Sequence, residues 1–194
     1  LRANSRENRG GLVYQSTVVS ERRCEARHSL GDTNVQSNSR TLVVNEMFYS
    51  LQGEGARAGE ASVFVRLTGC SAKYACLAGG VKCDTEFESG REMRLDDVLG
   101  SVGLTGQGRC RYIIWTGGEP LDQLDEQIVE YVCRQGFKQA IETSGIKPFP
   151  ARFRKLFTYI VCSPKVAEHV LEKHFGEPGL YLSDSFHLDE LRYV

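Results

Sequence analysis

The chain has 194 residues and a formal net charge of −1, with 41% hydrophobic and 25% charged residues. This composition predicts a globular domain of ordinary size and argues against a strongly basic nucleic-acid-binding surface. The sequence contains no apolar run of the roughly 18 residues that a transmembrane helix needs.

Residues 1–40 differ in composition from the rest of the chain. They are rich in Arg, Ser, Asn and Glu and contain two short apolar groups, at 11–14 and 16–19. Neither group has a partner pattern nearby, so we expect a disordered or loosely attached leader here. The folded domain is therefore predicted over residues 41–194.

From residue 41 the sequence alternates between strand-like and helix-like segments. The strand patterns are short apolar runs, and the first of them also fits an extended entry segment. Strands are predicted at 41–49, 61–69, 111–115, 138–143, 157–162 and 190–194. Helices are predicted at 91–103, 121–136 and 165–175, the second with an apolar stripe of Leu121, Leu124, Ile128 and Val132.

This alternation predicts an α/β fold built from parallel βαβ units. Sites in such folds form at the carboxyl ends of the strands. A cysteine-containing segment follows 61–69, and the sequences TGGEP, TSG and SPK follow 111–115, 138–143 and 157–162. We therefore predict one ligand-binding rim to which four strand ends contribute.

The seven cysteines are an odd number, which argues against an oxidised, secreted framework. Cys133 lies in a predicted helix and Cys162 ends a predicted strand, so both are predicted to be small buried hydrophobic residues. We therefore expect the protein in a reducing cytoplasm.

Cys70, Cys76 and Cys83 have the spacing C-x5-C-x6-C. This is neither the paired C-x2-C pattern of zinc ribbons nor the C-x-x-C of thioredoxins. Three interpretations stay open: unrelated core thiols, a zinc site with a fourth ligand, and an iron–sulfur cluster. In the last case one iron of a four-iron cluster would be open to an amine and a carboxylate.

The segment TGGEP, residues 116–120, is typical of a loop that approaches a ligand. Gly117 and Gly118 lack side chains, and Pro120 suits the first turn of a helix. The start of that helix would favour a carboxylate, and Glu119 could receive an ammonium group. An amino acid moiety would fit this loop, although an ordinary tight turn has the same residues.

Two other segments carry polar side chains. YSLQGEG, residues 49–55, is either a surface turn or a site where Gln52 and Glu54 bind a heterocycle such as a pterin or purine. Arg66, on the next strand, either binds a substrate carboxylate or forms a surface ion pair. The residues after Cys83 supply oxygen ligands for Mg²⁺ or form a solvated acidic turn, namely Asp84, Thr85, Glu86 and Glu88.

The motifs LQGEG, FVRLTGC, CDT, TGGEPL, IETSG and SPK, in this order, resemble the 7-carboxy-7-deazaguanine synthases of the radical S-adenosylmethionine (SAM) superfamily. The resemblance implies a partial (β/α) barrel and a [4Fe–4S] cluster whose open iron binds SAM. It implies a lyase that uses a 5′-deoxyadenosyl radical to convert 6-carboxy-5,6,7,8-tetrahydropterin to 7-carboxy-7-deazaguanine with loss of ammonia. The product leads to queuosine in tRNA, and the cofactor, with no catalytic side chain beyond it, carries the radical chemistry.

The resemblance also implies roles for individual residues and partners. The cluster would be held by Cys70, Cys76 and Cys83, with Thr85 as the Mg²⁺ ligand. The pterin site would consist of Leu51, Gln52, Gly53, Glu54, Arg66 and Thr116. SAM would be contacted by Gly118, Ser163, Pro164 and Lys165, with Glu119 and Ser144 as further candidates. A homodimer and a reductant such as flavodoxin or ferredoxin are implied as well.

The chain departs from the family pattern in two places. The usual cluster motif is C-x3-C-x2-C, so Cys76 is the middle ligand only if the loop before Cys83 is enlarged. The family continues beyond the strand that matches 190–194, so the domain is expected to be shortened at its C-terminus.

Two alternative functions are compatible with the same motifs. One is a radical SAM protein that activates a glycyl-radical enzyme, and the other is a zinc-binding module without catalysis. LQGEG and Arg66 favour a small-molecule pocket over the protein substrate of such an activating enzyme.

Overall fold

The computed structural model describes residues 40–78, 80, 82–147, 149–150, 152–165 and 188–192. The strands in these residues are β1 Thr41–Leu51, β2 Ala61–Leu67, β3 Arg91–Arg94, β4 Tyr112–Gly117, β5 Lys138–Thr143, β6 Tyr159–Cys162 and β7 Glu190–Leu191. The α-helices are α1 Lys73–Ala78, α2 Leu95–Thr105, α3 Glu126–Arg134 and α4 Phe153–Leu156. The predicted leader, apart from its last residue, and the predicted helix beyond residue 165 lie outside the described residues.

All seven of these strands belong to one sheet in the order β3-β1-β2-β4-β5-β6-β7. Strands β2, β4, β5, β6 and β7 pair in parallel, as the α/β prediction required. Strand β1 is antiparallel to both of its neighbours. The carboxyl ends of the parallel strands therefore meet at one edge of the sheet, where the ligand-binding rim was predicted.

Two predicted helices begin later in the structure than the sequence suggested. The first four residues of the predicted helix 91–103 form β3 instead, because their backbone pairs with β1. The helix predicted from residue 121 begins at Glu126, because the Asp125 side chain accepts a hydrogen bond from the Ile128 amide at 2.9 Å and caps the helix there. Residues Pro120–Asp122 form a single turn of 3₁₀ helix.

Strands β2, β4, β5 and β6 are buried on both faces over most of their length, as central parallel strands require. In β2, Val63, Val65 and Leu67 have no exposed surface and Phe64 is 9% exposed. Of the apolar stripe predicted for 121–136, Leu124, Ile128 and Val132 are buried and Leu121 is half-buried, although α3 contains only Ile128 and Val132.

The two cysteines predicted to be small buried residues differ from each other. Cys162 is 1% exposed and is a free thiol, as predicted. Cys133 is 7% exposed and therefore buried as predicted, but it is disulfide-bonded and not a free thiol. None of the helices in the described part of the chain is long and apolar enough to cross a membrane.

Candidate active site at the strand ends

Three thiols meet at the carboxyl edge of the sheet. Cys70 lies in the loop after β2, Cys76 is buried on α1, and Cys83 is exposed in the loop after that helix. All three are free, and all three line one cavity of about 220 Å³. The fold therefore brings Cys76 to the same cavity as the other two cysteines, although six residues separate it from Cys83.

The donor set of this cavity suits a cluster better than a single ion. Within the described residues, no three His, Cys, Asp or Glu side chains converge on a position that one metal ion could occupy. The described residues bring three thiols to this cavity, one fewer than the four ligands of a structural zinc site. In a four-iron cluster each thiolate binds a different iron, so three cysteines around a shared cavity fit it.

Burial keeps two of these cysteines protonated when no metal is bound. It raises the pKa of the Cys70 thiol to about 11, against a smaller opposing effect of the hydrogen bond with the Ala72 backbone. Burial also raises the pKa of Cys76, while the nearby Lys165 ammonium lowers it. Binding of iron to these residues must therefore release protons.

The TGGEP loop packs directly against the backbone that carries Cys70. The Gly118 amide donates to the Leu67 carbonyl at 3.0 Å, and the Glu119 amide donates to the Gly69 carbonyl at 2.9 Å. A Cβ atom at Gly118 would lie 1.7 Å from the Gly69 carbonyl oxygen, and one at Gly117 would lie 2.4 Å from the Leu67 amide nitrogen. Both positions require glycine because the two backbones are in contact.

Glu119 lies beneath the cavity and does not line it. Its side chain is completely buried. The carboxylate accepts hydrogen bonds from Thr143 Oγ1 at 2.7 Å, the Ser144 amide at 2.9 Å and the Leu121 amide at 3.1 Å, and from the Ser144 hydroxyl. These bonds tie the end of β4 to the end of β5. We expected the N-terminus of an α-helix with unpaired amides directly after Glu119. Instead α3 begins at residue 126, and the Leu121 amide donates its hydrogen bond to Glu119.

Replacing Glu119 with glutamine should destabilise this junction. An amide presents one acceptor oxygen where the carboxylate presents two, so buried donors on Thr143 and Ser144 compete for it. We expect the free energy of unfolding to fall by about 1–3 kcal/mol. Urea denaturation measures this, with Glu92→Gln as the control, because Glu92 is exposed and its loss should change stability by less than about 0.5 kcal/mol. Equal stabilities of the two variants would contradict the structural role of Glu119.

The structure places the predicted site residues in two groups. Those that line the cavity are Glu54, Cys70, Cys76, Cys83, Thr85, Thr116, Gly118, Ser144, Ser163 and Lys165. Those outside its lining are Leu51, Gln52, Gly53, Arg66, Glu119 and Pro164. Gln52 nevertheless donates a hydrogen bond to Glu142, which lines the cavity. Arg66 lies 3.4 Å from Glu46 with its guanidinium over the Phe48 ring, and its carboxylate-binding role stays a prediction.

The acidic segment after Cys83 divides between the cavity and the surface. Thr85 donates its hydroxyl to Asp84 Oδ1 at 3.3 Å, and both residues line the cavity. Hydrogen bonds from the Ser89 side chain and backbone, and from the Glu88 amide, lower the pKa of Glu86 to about 2. Glu88 forms an ion pair with Lys73 at 2.7 Å. Asp84 and Thr85 are therefore the pair of this segment that could hold a cation in the cavity.

Two charged residues of the cavity, Glu142 and Arg192, were not predicted from the sequence. Glu142 Oε1 accepts from Gln52 Nε2 at 2.9 Å, and its Oε2 accepts from Thr116 Oγ1 at 3.1 Å. Arg192, just after β7, lies 3.3 Å from Glu142 and 3.1 Å from Glu54. Glu142 could have been found from the sequence, because it is a charged residue near the end of a predicted buried strand. No sequence motif marks Arg192.

A larger groove of about 600 Å³ lies at the opposite ends of β4 and β5. Its charged lining residues are Arg57, Glu60, Arg109, Arg111 and Lys138. Cys110 lines it, but this thiol donates to the Ala61 carbonyl and does not belong to the three-cysteine group. Because sites in parallel α/β folds form at the carboxyl ends of strands, the smaller cavity with three thiols is the candidate active site.

Comparisons with known proteins agree on one family, although no protein-family model matches the sequence. The chain is 35% identical over 122 residues to the 7-carboxy-7-deazaguanine synthase of Bacteroides thetaiotaomicron, covering 63% of this chain and 60% of that protein. It is 34% identical over 149 residues to the 7-carboxy-7-deazaguanine synthase of Caulobacter vibrioides, covering 68% of this chain and 67% of that protein. The chain thus spans about three fifths to two thirds of the length of these curated relatives.

The fold is similar to the crystal structure of QueE from Escherichia coli. The TM-score is 0.61 and the sequence identity 23%, over 84% of this chain and 76% of that chain. This similarity confirms the predicted fold class, a partial barrel with mostly parallel strands.

Proposed function

The chain belongs to the 7-carboxy-7-deazaguanine synthase family, and we propose that it converts 6-carboxy-5,6,7,8-tetrahydropterin to 7-carboxy-7-deazaguanine with loss of ammonia, as a radical SAM lyase. The observation that carries this proposal is the cavity that Cys70, Cys76 and Cys83 share with the ends of β4, β5 and β6. A soft donor set and a polar rim in one cavity suit a reaction that needs a cluster, SAM and a polar substrate together.

In this proposal the three cysteines would hold a [4Fe–4S] cluster and leave one iron for the amino acid end of SAM. When bound, the cluster and SAM supply the radical that starts the reaction. The chain holds SAM with the Gly118 backbone and with Ser163 and Lys165, which line the same cavity. The Lys165 ammonium suits the carboxylate of SAM. Ser144 lines the cavity too, while Pro164 and Glu119 support the loops from outside its lining.

The pterin would bind along the wall formed by Glu54, Thr116 and Glu142. A pterin ring presents N–H donors and a carbonyl acceptor at one edge, and carboxylate, hydroxyl and amide groups match that pattern. Gln52 is held against this wall by its hydrogen bond to Glu142. Leu51, Gly53 and Arg66 lie outside the wall, and their contacts with the substrate stay predictions.

The remaining parts of the proposal concern the metal, the partners and the compartment. Mg²⁺ would bind at Thr85, where the neighbouring Asp84 adds a hard oxygen. A reductant such as flavodoxin or ferredoxin would supply the electron, and two chains would form a homodimer. A reducing cytoplasm would keep the cluster thiols free, as Cys70, Cys76 and Cys83 are here, whereas the disulfide at Cys133 does not favour that compartment.

The decisive experiment is turnover after anaerobic purification and reconstitution with iron and sulfide. We expect a brown protein with about four irons per chain that forms 7-carboxy-7-deazaguanine from the carboxytetrahydropterin, SAM and a reductant. Formation of 5′-deoxyadenosine without this product would indicate another substrate, such as the protein partner of a glycyl-radical activase. A colourless protein with one bound zinc would overturn the proposal in favour of a binding module.

A further inference from the structure

One guanidinium joins carboxylates from three separate segments beside β7. Arg192 lies 2.8 Å from Glu190 on β7, 3.1 Å from Glu54 in the β1–β2 loop and 3.3 Å from Glu142 on β5. The side chains of Arg192, Glu142 and Glu190 are largely buried, at 16%, 21% and 16% exposed, whereas that of Glu54 is 67% exposed. The backbone of Arg192 is also fixed, because its amide donates to the Cys162 carbonyl at 2.8 Å.

Glu190 makes a second connection from β7 to the same loop. Its Oε2 accepts from the Ala56 amide at 3.3 Å and from the Tyr159 hydroxyl at 3.0 Å. A Cβ atom at Gly55, where φ is +70°, would lie 2.1 Å from that oxygen. Burial opposes ionisation of Glu190, yet the hydrogen bonds from Arg192 and Tyr159 lower its pKa, so the carboxylate is charged at neutral pH.

We propose that Glu190 and Arg192 are positioning residues that hold the β1–β2 loop, residues 52–60, against the substrate wall of the cavity. The role of this wall in pterin binding rests on the proposed function, whereas the attachment of the loop to β7 does not. The proposal assigns a purpose to the short strand β7 and the residue that follows it, because Glu190 contacts the loop at Ala56 and Arg192 contacts it at Glu54.

The electrostatics explain why Arg192 matters to this arrangement. Glu54 and Glu142 are like charges that approach the same guanidinium, so without it they repel each other. The base of the loop is closed independently, because Gly59 donates to the Gln52 carbonyl at 2.7 Å. Loss of Arg192 should therefore free the tip of the loop, residues 53–56, and leave its base in place. Substrate binding would then have to order that tip.

Hydrogen–deuterium exchange on the full chain without substrate tests the attachment directly. Arg192→Met removes the charge and keeps most of the length. We expect the amides of Glu54 and Ala56, which donate to Gln52 Oε1 and Glu190 Oε2, to exchange about threefold faster in this variant. Arg192→Lys should restore part of the protection, because it retains the charge. Arg152→Met is the matched control, since Arg152 pairs with Glu126 and Glu130 on α3 and does not line the cavity.

Steady-state kinetics of the same variants test the consequence for substrate binding. In Arg192→Met we expect KM for the pterin to rise about tenfold while KM for SAM stays unchanged, because the loop faces the pterin wall. Glu190→Gln should give the same pattern more weakly, and it replaces Arg192→Met if that variant does not fold. If even the wild-type chain forms no deazaguanine product, the proposed function fails while the exchange experiment still decides the attachment.

Two results would overturn the positioning role. One is unchanged exchange of residues 53–56 in folded Arg192→Met or Glu190→Gln. The other is an increase in the exchange rate of residues 53–56 that is no larger than the increase in Arg152→Met. Such an increase would reflect a general loss of stability. Equal increases of KM for the pterin and for SAM would also contradict the positioning role. They would indicate that the substitution alters the whole cavity and not the loop alone.

Discussion

The Cys76→Ala variant is expected to lose most of its iron and its catalytic activity. Cys76 lines the same cavity as Cys70 and Cys83, and its removal leaves two thiolates for a cluster that needs three. After anaerobic reconstitution we expect iron to fall from about four per chain to below about one, and product formation to fall by more than about a hundredfold. Iron analysis and the charge-transfer absorption of the cluster measure the first effect.

Cys110→Ala is the matched control for this substitution. Cys76 and Cys110 are both free thiols and are both 8% exposed, so replacing either removes a buried sulfur of similar accessibility. Cys110 lies at the beginning of β4, in the groove at the other end of the sheet. The control should therefore lose some stability and keep its iron.

The enlarged loop before Cys83 makes this comparison informative. Full iron content and full activity in Cys76→Ala would exclude Cys76 as the middle ligand, and another residue would then have to supply the third ligand. A proportionate loss of iron in Cys110→Ala would show that the assay reports folding and not ligation. Loss confined to Cys76→Ala supports a cluster held with the spacing C-x5-C-x6-C.

The rim of the site could be predicted from the sequence because its signals are local. Candidate site residues are identified as the cysteine, glycine or serine that follows a predicted strand. Parallel pairing of the strands then places all of these strand ends at one edge of the sheet. Cys70, Gly118 and Ser163 were found in this way, and each lines the cavity. The same reasoning located the polar LQGEG loop, of which Glu54 reaches the cavity.

The other features depend on burial and on contacts distant in sequence. Glu119 was expected to face a ligand, but burial and four donors commit its carboxylate to the junction of β4 with β5. Arg91–Arg94 was expected to be helical, because nothing local shows that β1 offers it an edge to pair with. Arg192 joins segments about 50 and more than 130 residues away, which no periodicity or motif reveals.

The second large effect is expected from adding one methyl group, in Gly118→Ala. The new Cβ atom would lie 1.7 Å from the Gly69 carbonyl oxygen and 3.2 Å from Cys70 Cβ, so a backbone segment must move. Neither neighbour is the flexible end of a side chain, and we therefore expect the free energy of unfolding to fall by about 1–3 kcal/mol. The displaced segment carries Cys70, so reconstituted iron should fall as well, in a protein that remains folded.

Gly103→Ala separates this steric effect from the general effect of the substitution. Gly103 lies on α2, and a Cβ atom there would meet nothing within 4 Å. Alanine in a helix should leave the protein as stable or raise its stability by up to about 1 kcal/mol, with unchanged iron. If Gly118→Ala bound iron as well as Gly103→Ala, contact between the TGGEP loop and the Cys70 backbone would not be what positions the first cluster ligand. If Gly118→Ala lost iron while its free energy of unfolding stayed nearly unchanged, the contact would act on ligand geometry alone. A local backbone displacement that leaves the protein folded is enough to misplace the Cys70 thiolate.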